Sequence, residues 1–540
     1  MTGGGRHVVG IDLGTTNSVV ATVADDGTVT VLPNANGGEI TPSVVYFEPD
    51  GTAVIGEEAV QATAVDPENG VQLIKRSMGT EFPLLIRGQQ HTPESISALI
   101  LRQLVTAATE TTTQDGAKVS AVITVPAYFG LAEREATYQA GVIAGIDVLE
   151  LLDEPVAAAT HYGLTAGGNR TVLVYDLGGG TFDTTVLSIA NGAVQVLATD
   201  GHSSLGGADV DQRLFDVILA RLGEQLPADE LDAITEDRTT LAELVLETEA
   251  AKKDLSARVS RQVKVRTPTS RTSVTITRAD LEAACADLFD TTGEIIGRVL
   301  RAAGSDGGAG IDEVIMVGGS SRIPMLAPRL AALLGKTPRL TDPDLAVAKG
   351  AALRAHHLVK STQLNALRAR ARGSAQASAS ASASGGAERV GQVVPVTPRA
   401  VGILIEDSFD PSGKRSFVEH LVVANTPLPV ERTEERFGTI LENQESVRVQ
   451  VYEQAGPAPS PEVGHNRRVL DGELTGIGTL PAGSLIRITV QIAVDGRLTV
   501  IAHEPQSGRE LRLEAYVEGV VDGAETARLT RLVGLAKVRG

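Results

Sequence analysis

Along residues 8–359, apolar runs of strand length end in glycine turns and alternate with longer segments whose apolar residues return at helical spacing. That alternation predicts an α/β domain over 7–358. Val8–Ile11 and Val19–Val23 read as strands around the turn Asp12-Leu13-Gly14-Thr15-Thr16-Asn17-Ser18. Thr171–Tyr175 and Thr184–Ile189 read the same way around Asp176-Leu177-Gly178-Gly179-Gly180-Thr181-Phe182-Asp183. A third strand, Val314–Val317, runs into Gly318-Gly319-Ser320-Ser321-Arg322 and opens a helix. Gly373–Gly386, GSAQASASASASGG, lacks the large apolar side chains that offset the entropy of ordering, so 359–392 is expected to be a flexible linker. Beyond it the pattern shortens to alternating runs such as Val447–Tyr452 and Ile486–Val494. This predicts a small β domain over 393–521, with its clearest hairpin at Asp495-Gly496. Residues 522–540 read as a short tail, too short for a multi-helix bundle.

A chain of 540 residues exceeds one ordinary hydrophobic core, so two or more domains are expected. The hydrophobic share of 42% contains no apolar run long enough to span a bilayer, which argues against a membrane partner. Met1–Arg6 leads into the first strand without a charged n-region, long h-region and cleavage site, from which a cytoplasmic location is expected. With 48 Lys and Arg against 67 Asp and Glu, the net charge of −19 repels a phosphate backbone, and without Trp there are few platforms for bases. Nucleic acid is therefore not an expected partner. Cys285 falls in the helical pattern Leu281, Ala284, Cys285, Leu288 and reads as a buried apolar thiol with no chemical role.

The turns carry the chemistry. Glycine lets a backbone approach a phosphate closely, so its N–H groups and the threonine hydroxyls can donate while Asp12 faces a metal's water shell. One such turn is also an ordinary hairpin. Two with the same acidic start, over 150 residues apart, point to two similar lobes facing one ligand. Their spacing is not that of a P-loop, since no Gly-Lys-Ser/Thr follows a glycine at four residues.

These turns resemble the actin, hexokinase and heat-shock ATPase superfamily. Ile11–Ser18, VITVPAYF at 122–129, Asp153-Glu154-Pro155 with Ala157–Ala159, and Tyr175–Asp183 resemble the 70-kDa heat-shock chaperone family in particular. The resemblance implies an actin-like, ribonuclease-H-like α/β ATPase fold of two lobes, followed by a small all-β sandwich. It implies an ATP-hydrolysing chaperone that binds unfolded polypeptide segments, with ATP/ADP and Mg²⁺, K⁺ as a further candidate ion, and a J-domain co-chaperone and nucleotide-exchange factor as candidate partners. Carried over by position, Lys75, Glu154, Asp183 and Thr181 take catalytic roles, and Asp12 and Asp176 face the metal. Gly14, Thr15, Thr16, Asn17, Gly178, Gly179, Gly180, Gly206 and Gly207 surround the phosphates. Glu249, Lys252, Lys253, Ser256, Gly318, Gly319, Ser320, Arg322 and Asp344 form the adenosine side. Pro126 and Arg134 match the family's relay between domains. For Lys75 by itself a solvated lysine is the alternative, and for Pro126 a strand terminator.

The β domain resembles the family more faintly, through Val396-Thr397-Pro398, Asn425–Pro429, Glu442-Asn443-Gln444 and Val494-Asp495-Gly496. By that likeness Ile403, Phe437, Val447, Val449 and Ile486 line an apolar peptide groove; sandwich core explains them equally well. The chain departs from the family in its Ala/Ser linker, in a short Gly79–Pro93 segment and in the expected lack of a helical lid. The altered linker and missing lid favour an alternative, an ATP-gated regulatory or scaffold protein that binds one partner through residues 393–540. A sugar kinase or filament protein is a third reading, for which no acceptor pocket or use for a tethered sandwich is evident.

Overall fold

The computed structural model describes residues 7–24, 26–110, 119–166, 168–190, 193–266, 271–305, 307–373, 393–407, 415–456, 458–514 and 520–540. Two sheets of one design form the N-terminal part. In lobe I the strand order is Asp147–Asp153, Val119–Val125, His7–Asp12, Asn17–Val23, Val29–Val31; in lobe II it is Arg339–Leu340, Glu313–Val317, Arg170–Leu177, Phe182–Ala190, Ala193–His202, Val393–Val394. In each, a parallel neighbour flanks an antiparallel pair whose connecting turn is one of the two acidic glycine turns. Every residue of Val119–Val125 is buried, the mark of a central strand covered on both faces.

Helices Glu154–Ala166 and Ala346–Gly373 cross between the sheets. Their Val156, Ala157, Val347 and Ala351 share one core with Val122 of lobe I and Val172 and Val174 of lobe II. Gly350 is needed there, since a Cβ would lie 1.8 Å from the Ala157 carbonyl oxygen. A second core fills lobe II, where Phe289, Ile296, Val299 and Leu300 of the amphipathic helix Ala286–Ala302 face the sheet. Cys285 is buried in it, as expected.

The β domain is a sandwich of two four-stranded antiparallel sheets. One is ordered Ser416–Val422, Val401–Glu406, Gln444–Gln454, Asn466–Leu480, and the other Val430–Gly438, Leu485–Ile492, Leu498–Glu504, Arg509–Glu514. The Asp495-Gly496 turn joins Leu485–Ile492 to Leu498–Glu504 with Gly496 at φ 83°. Three boundaries differ from the sequence reading. Residues 359–373 continue the helix Ala346–Gly373, and 374–392 lie outside the described residues. Val393–Val394 leaves the β domain and pairs in parallel with Val194–Gln195 at the edge of the lobe II sheet.

The third difference is the expected tail. It forms the helix Gly523–Leu535, capped by Asp522 accepting the Glu525 N–H at 2.6 Å, and then a strand Val538–Arg539 that pairs with Ala53–Val54. Leu529 and Val533 are buried in the lobe I core beside Leu101 and Ile123. Apolar spacing of three and four residues on a capped helix supplies the reason: the stripe needs a partner, and lobe I provides it.

Candidate nucleotide site

The two acidic glycine turns face each other across the cleft. A Cβ on Gly179 would lie 2.0 Å from the Thr16 hydroxyl oxygen, and one on Gly180 would lie 2.2 Å from a Thr15 methyl. Only glycine permits this approach of lobe II to lobe I. Gly206 packs on the Gly180 backbone, and the Gly207 and Ala208 amides donate to the Gly178 and Gly179 carbonyls at 3.0 and 2.7 Å. Gly14 closes on the Asn17 carbonyl, which makes its turn equally tight. Together Gly14, Thr15, Thr16, Asn17, Gly178, Gly179, Gly180, Gly206 and Gly207 form one continuous lip at the N-terminus of the helix Gly207–Gln225, where a phosphate is favoured.

Below the lip, four carboxylates surround one ammonium. Lys75, 4% exposed, is paired with Glu154 at 2.5 Å, and its ammonium lies 5.8 Å from the centre of the Phe129 ring. Asp12 accepts from the Thr124 hydroxyl at 3.1 Å, and Asp183 from the Tyr128 N–H at 3.3 Å. Burial, with Glu154 adding to it, raises Asp12 to about 7 and lifts Asp176 and Asp183 well above the usual carboxylate range; Lys75 opposes all three shifts. Thr181, also buried, follows Gly180 in the turn, and its carbonyl accepts the Gly178 N–H at 3.0 Å. One lysine does not balance Asp12, Glu154, Asp176 and Asp183, so the cluster suits a ligand that arrives with its own cation. Among the described residues no three His, Cys, Asp or Glu side chains converge to ligate a metal directly. Asp12 and Asp176, close enough to repel each other beneath the glycine turns, are a donor set that fits a Mg²⁺ keeping its waters and taking phosphate oxygens.

The third loop completes the cleft from lobe II. The Gly318 amide donates to Pro343 O at 2.8 Å, which brings the ion pair of Arg322 and Asp344 to the Gly318-Gly319 turn. Lys252 donates to Gly207 O at 3.0 Å and pairs with Asp211 at 2.6 Å, and Gly207 abuts the Ser320 hydroxyl. On the same helix, Arg238–Ala257, Glu249 pairs with Lys253 at 2.7 Å and Ser256 bonds to Lys252 O.

A family model for Hsp70 protein matches residues 8–84, 84–369 and 381–532. The chain belongs to the Hsp70 family. It is an ATP-dependent chaperone of the Hsp70 type and an ATPase. It is 38% identical over 515 residues to the chaperone protein DnaK of Thermotoga neapolitana, covering 94% of this chain and 79% of that protein. It is 36% identical over 535 residues to the DnaK of Thermus thermophilus, covering 93% and 79%. Family members bind ATP or ADP and unfolded polypeptide. No described helix is long and apolar enough to cross a membrane.

In this Hsp70 chain the two expected relay residues lie between the Lys75 cluster and the β domain. Pro126 O accepts the Phe129 N–H, closing the turn that holds Phe129 over Lys75. Arg134 pairs with Asp153, donates to Phe129 O at 2.9 Å, and its Cδ lies against the position a Cβ on Gly496 would take. The five residues expected to line a groove lie in or against the sandwich core. Ile403, Val449 and Ile486 are 5%, 4% and 2% exposed inside the sandwich, and Phe437 and Val447 are half-buried at its margin. Ile440 and Leu441, a few residues after Phe437 in the chain, are exposed apolar residues.

The sequence reading also missed the domain contact. Glu453 accepts the Leu131 N–H at 2.9 Å, and Arg399 lies 3.4 Å from Glu133 and 3.7 Å from Glu453. Asn425 accepts the Thr199 N–H at 2.9 Å, and Arg467 donates to Gly79 O. The signal for these was absent locally, because each lobe residue lies more than 200 residues from its partner in the β domain.

Proposed function

We propose that Lys75 is the residue that stabilises charge on the transferred γ-phosphoryl group of ATP and orients the attacking water. The observation that carries this reading is the buried Lys75–Glu154 pair beneath two facing glycine turns. Phosphoryl transfer to water needs positioning and charge stabilisation more than covalent chemistry. Thr15, Thr16 and Thr181 contact phosphate, and Asp183 or Glu154 orients the nucleophile or accepts its proton. Asp12 and Asp176 would hold Mg²⁺ through its water shell, where it supplies charge neutralisation of the phosphates. Glu249, Lys252, Lys253, Ser256, Gly318, Gly319, Ser320, Arg322 and Asp344 receive the nucleoside. K⁺ is a candidate second ion, tested by exchange for Na⁺.

Pro126 and Arg134 pass the nucleotide state to the β domain, where Ile403, Phe437, Val447, Val449 and Ile486 receive peptide once the strands around them part. A J-domain co-chaperone and a nucleotide-exchange factor are the proposed regulators, and a cytoplasmic location belongs to the same reading. The units of this reading are the ATPase part, through the helix Ala346–Gly373, and the sandwich that follows Val393–Val394. ATP turnover measured with and without unfolded peptides tests the reading: acceleration is expected. Turnover indifferent to every peptide is the result that would overturn it.

A further inference from the structure

Arg76 follows Lys75 on the short helical turn Ile74–Ser77, whose Ile74 and neighbour Met78 are fixed in the lobe I core. Its side chain leaves that lobe. Nε donates to the Gly180 carbonyl at 2.9 Å, and the two Nη atoms reach the Asp209 carboxylate at 2.6 and 3.4 Å. Both partners belong to lobe II: Gly180 lies in its glycine turn, and Asp209 sits in the first turn of Gly207–Gln225 beside Val210 of the lobe II core. Asp209 also accepts the Gly206 N–H at 2.8 Å.

One guanidinium thus binds lobe I to two segments that frame the phosphate lip. We propose that Arg76 is a positioning residue that latches the two lobes together across the cleft and thereby sets how long nucleotide is retained, while leaving the phosphoryl-transfer step to Lys75. This rests on the nucleotide-site reading given above.

Two observations give the pair its weight. Arg76 and Asp209 are 19% and 27% exposed and meet through a forked, charge-assisted contact, the geometry in which Arg is most effective. Another ion pair between the lobes, Arg238–Glu68 at 3.1 Å, is 72% and 69% exposed. Solvent screens such a pair to little effect. Opening the cleft therefore has to break the Arg76 contacts, and that loosens the Gly180 carbonyl and the Asp209 carboxylate that caps Gly206. Lysine cannot replace the latch fully, because one ammonium cannot present the same fork to Asp209 while also reaching Gly180.

The test is the release rate of a fluorescent ADP, followed by rapid mixing, in the full chain. Arg76→Gln and Asp209→Asn are each expected to speed release on the order of tenfold. The double substitution should fall well short of the product of the two single effects, since both lose the shared Arg76–Asp209 contact. Arg76→Lys should fall between, and single-turnover hydrolysis of bound ATP should stay close to wild type. Additive effects, or slowed hydrolysis with unchanged release, would overturn the latch. Hydrogen exchange at the Gly206–Val210 amides without nucleotide is the independent readout. It should rise in Arg76→Gln, and no rise overturns the latch even if the wild-type chain binds no nucleotide, an outcome that would itself count against the site and not against the bridge.

Discussion

Glu453 of the β domain accepts the N–H of Leu131 at 2.9 Å, so a side chain distant in sequence satisfies one of the open amides at the start of the lobe I helix Leu131–Ile143. Its other oxygen, Oε2, is buried with no hydrogen-bond partner among the described residues, and Arg399 is 3.7 Å from it. The facing charges are Glu133 on the lobe I helix, Arg399 before the sandwich and Arg467 on the neighbouring strand. Burial raises Glu453 to about 7, Glu133 adds to this, and Arg399, the Leu131 N–H and Arg467 oppose it.

The sign follows from linkage. The docked state holds the Glu453 proton more tightly than the undocked state, so docking gains fully below the ordinary value of 4.5 and loses that gain as pH rises through about 7. The docking constant should fall by up to about tenfold per pH unit between those values. Hydrogen exchange at Leu131 between pH 5 and 8 reads this, and Glu453→Gln should flatten the profile. A wild-type profile in that variant would assign the pH dependence to another group.

Lys75→Ala should leave ATP binding measurable and lower single-turnover hydrolysis on the order of a hundredfold or more, because its ammonium serves charge that develops in the transition state. The measurement is a quench-flow single turnover. Unchanged hydrolysis removes Lys75 from the chemistry.

Asp12→Asn and Asp176→Asn each remove one carboxylate from a cluster that already carries more negative charge than Lys75 balances. Each should raise the Mg²⁺ concentration needed for half-maximal turnover, read by titration after chelator treatment. Wild-type titration curves for both would mean that neither aspartate faces the metal.

Leu529 has no exposed surface and lies in the lobe I core with Leu101 and Ile123. Leu529→Ala should lower stability by about 2–5 kcal/mol, the usual cost of a buried Leu→Ala cavity. Because Arg102 donates to Val533 O and Val538–Arg539 extends the strand pair at Ala53–Val54, the loss should register in lobe I. Thermal unfolding, with hydrogen exchange at Val54, locates it. An undisturbed Val54 amide would show the helix to be an appendage.

What the sequence revealed and what it hid divide by range. The turns at Asp12 and Asp176 were legible because strand, glycine and acid all lie within about ten residues, and the facing of two similar turns followed from their repetition. Arg76 with Asp209 and Glu453 with Leu131 were not legible: each reads locally as a solvated charge, and only the folded chain brings it to a partner 133 or 322 residues away. The helix Gly523–Leu535 was hidden differently. Asp522 with Glu525 and the stripe Leu529, Leu532, Val533 signal a capped amphipathic helix, yet a short helix is marginal alone and its lobe I surface lies far back in the chain. Ile403, Val449 and Ile486 could be groove or core on alternation alone, since both demand apolar residues at every second position.

Val393–Val394 raises the last question, how the β domain senses the cleft. The pair adds a parallel edge strand to Val194–Gln195, and its strand neighbour Ala193–His202 continues through Thr199, held to Asn425, toward His202 opposite Phe182. A change at the glycine turn 176–183 can thus reach the linker through one sheet, provided the edge strand is docked. Val393→Asp with Val394→Asp places two charges where Val393 packs on the core shared by both lobes, which disfavours docking without touching the turns. Basal ATP turnover should be retained, and stimulation by unfolded peptide should fall toward none. The two rates come from one steady-state assay with and without peptide. Stimulation that survives the double substitution would route the signal through Arg134 and Gly496 instead, the other contact between cleft and sandwich.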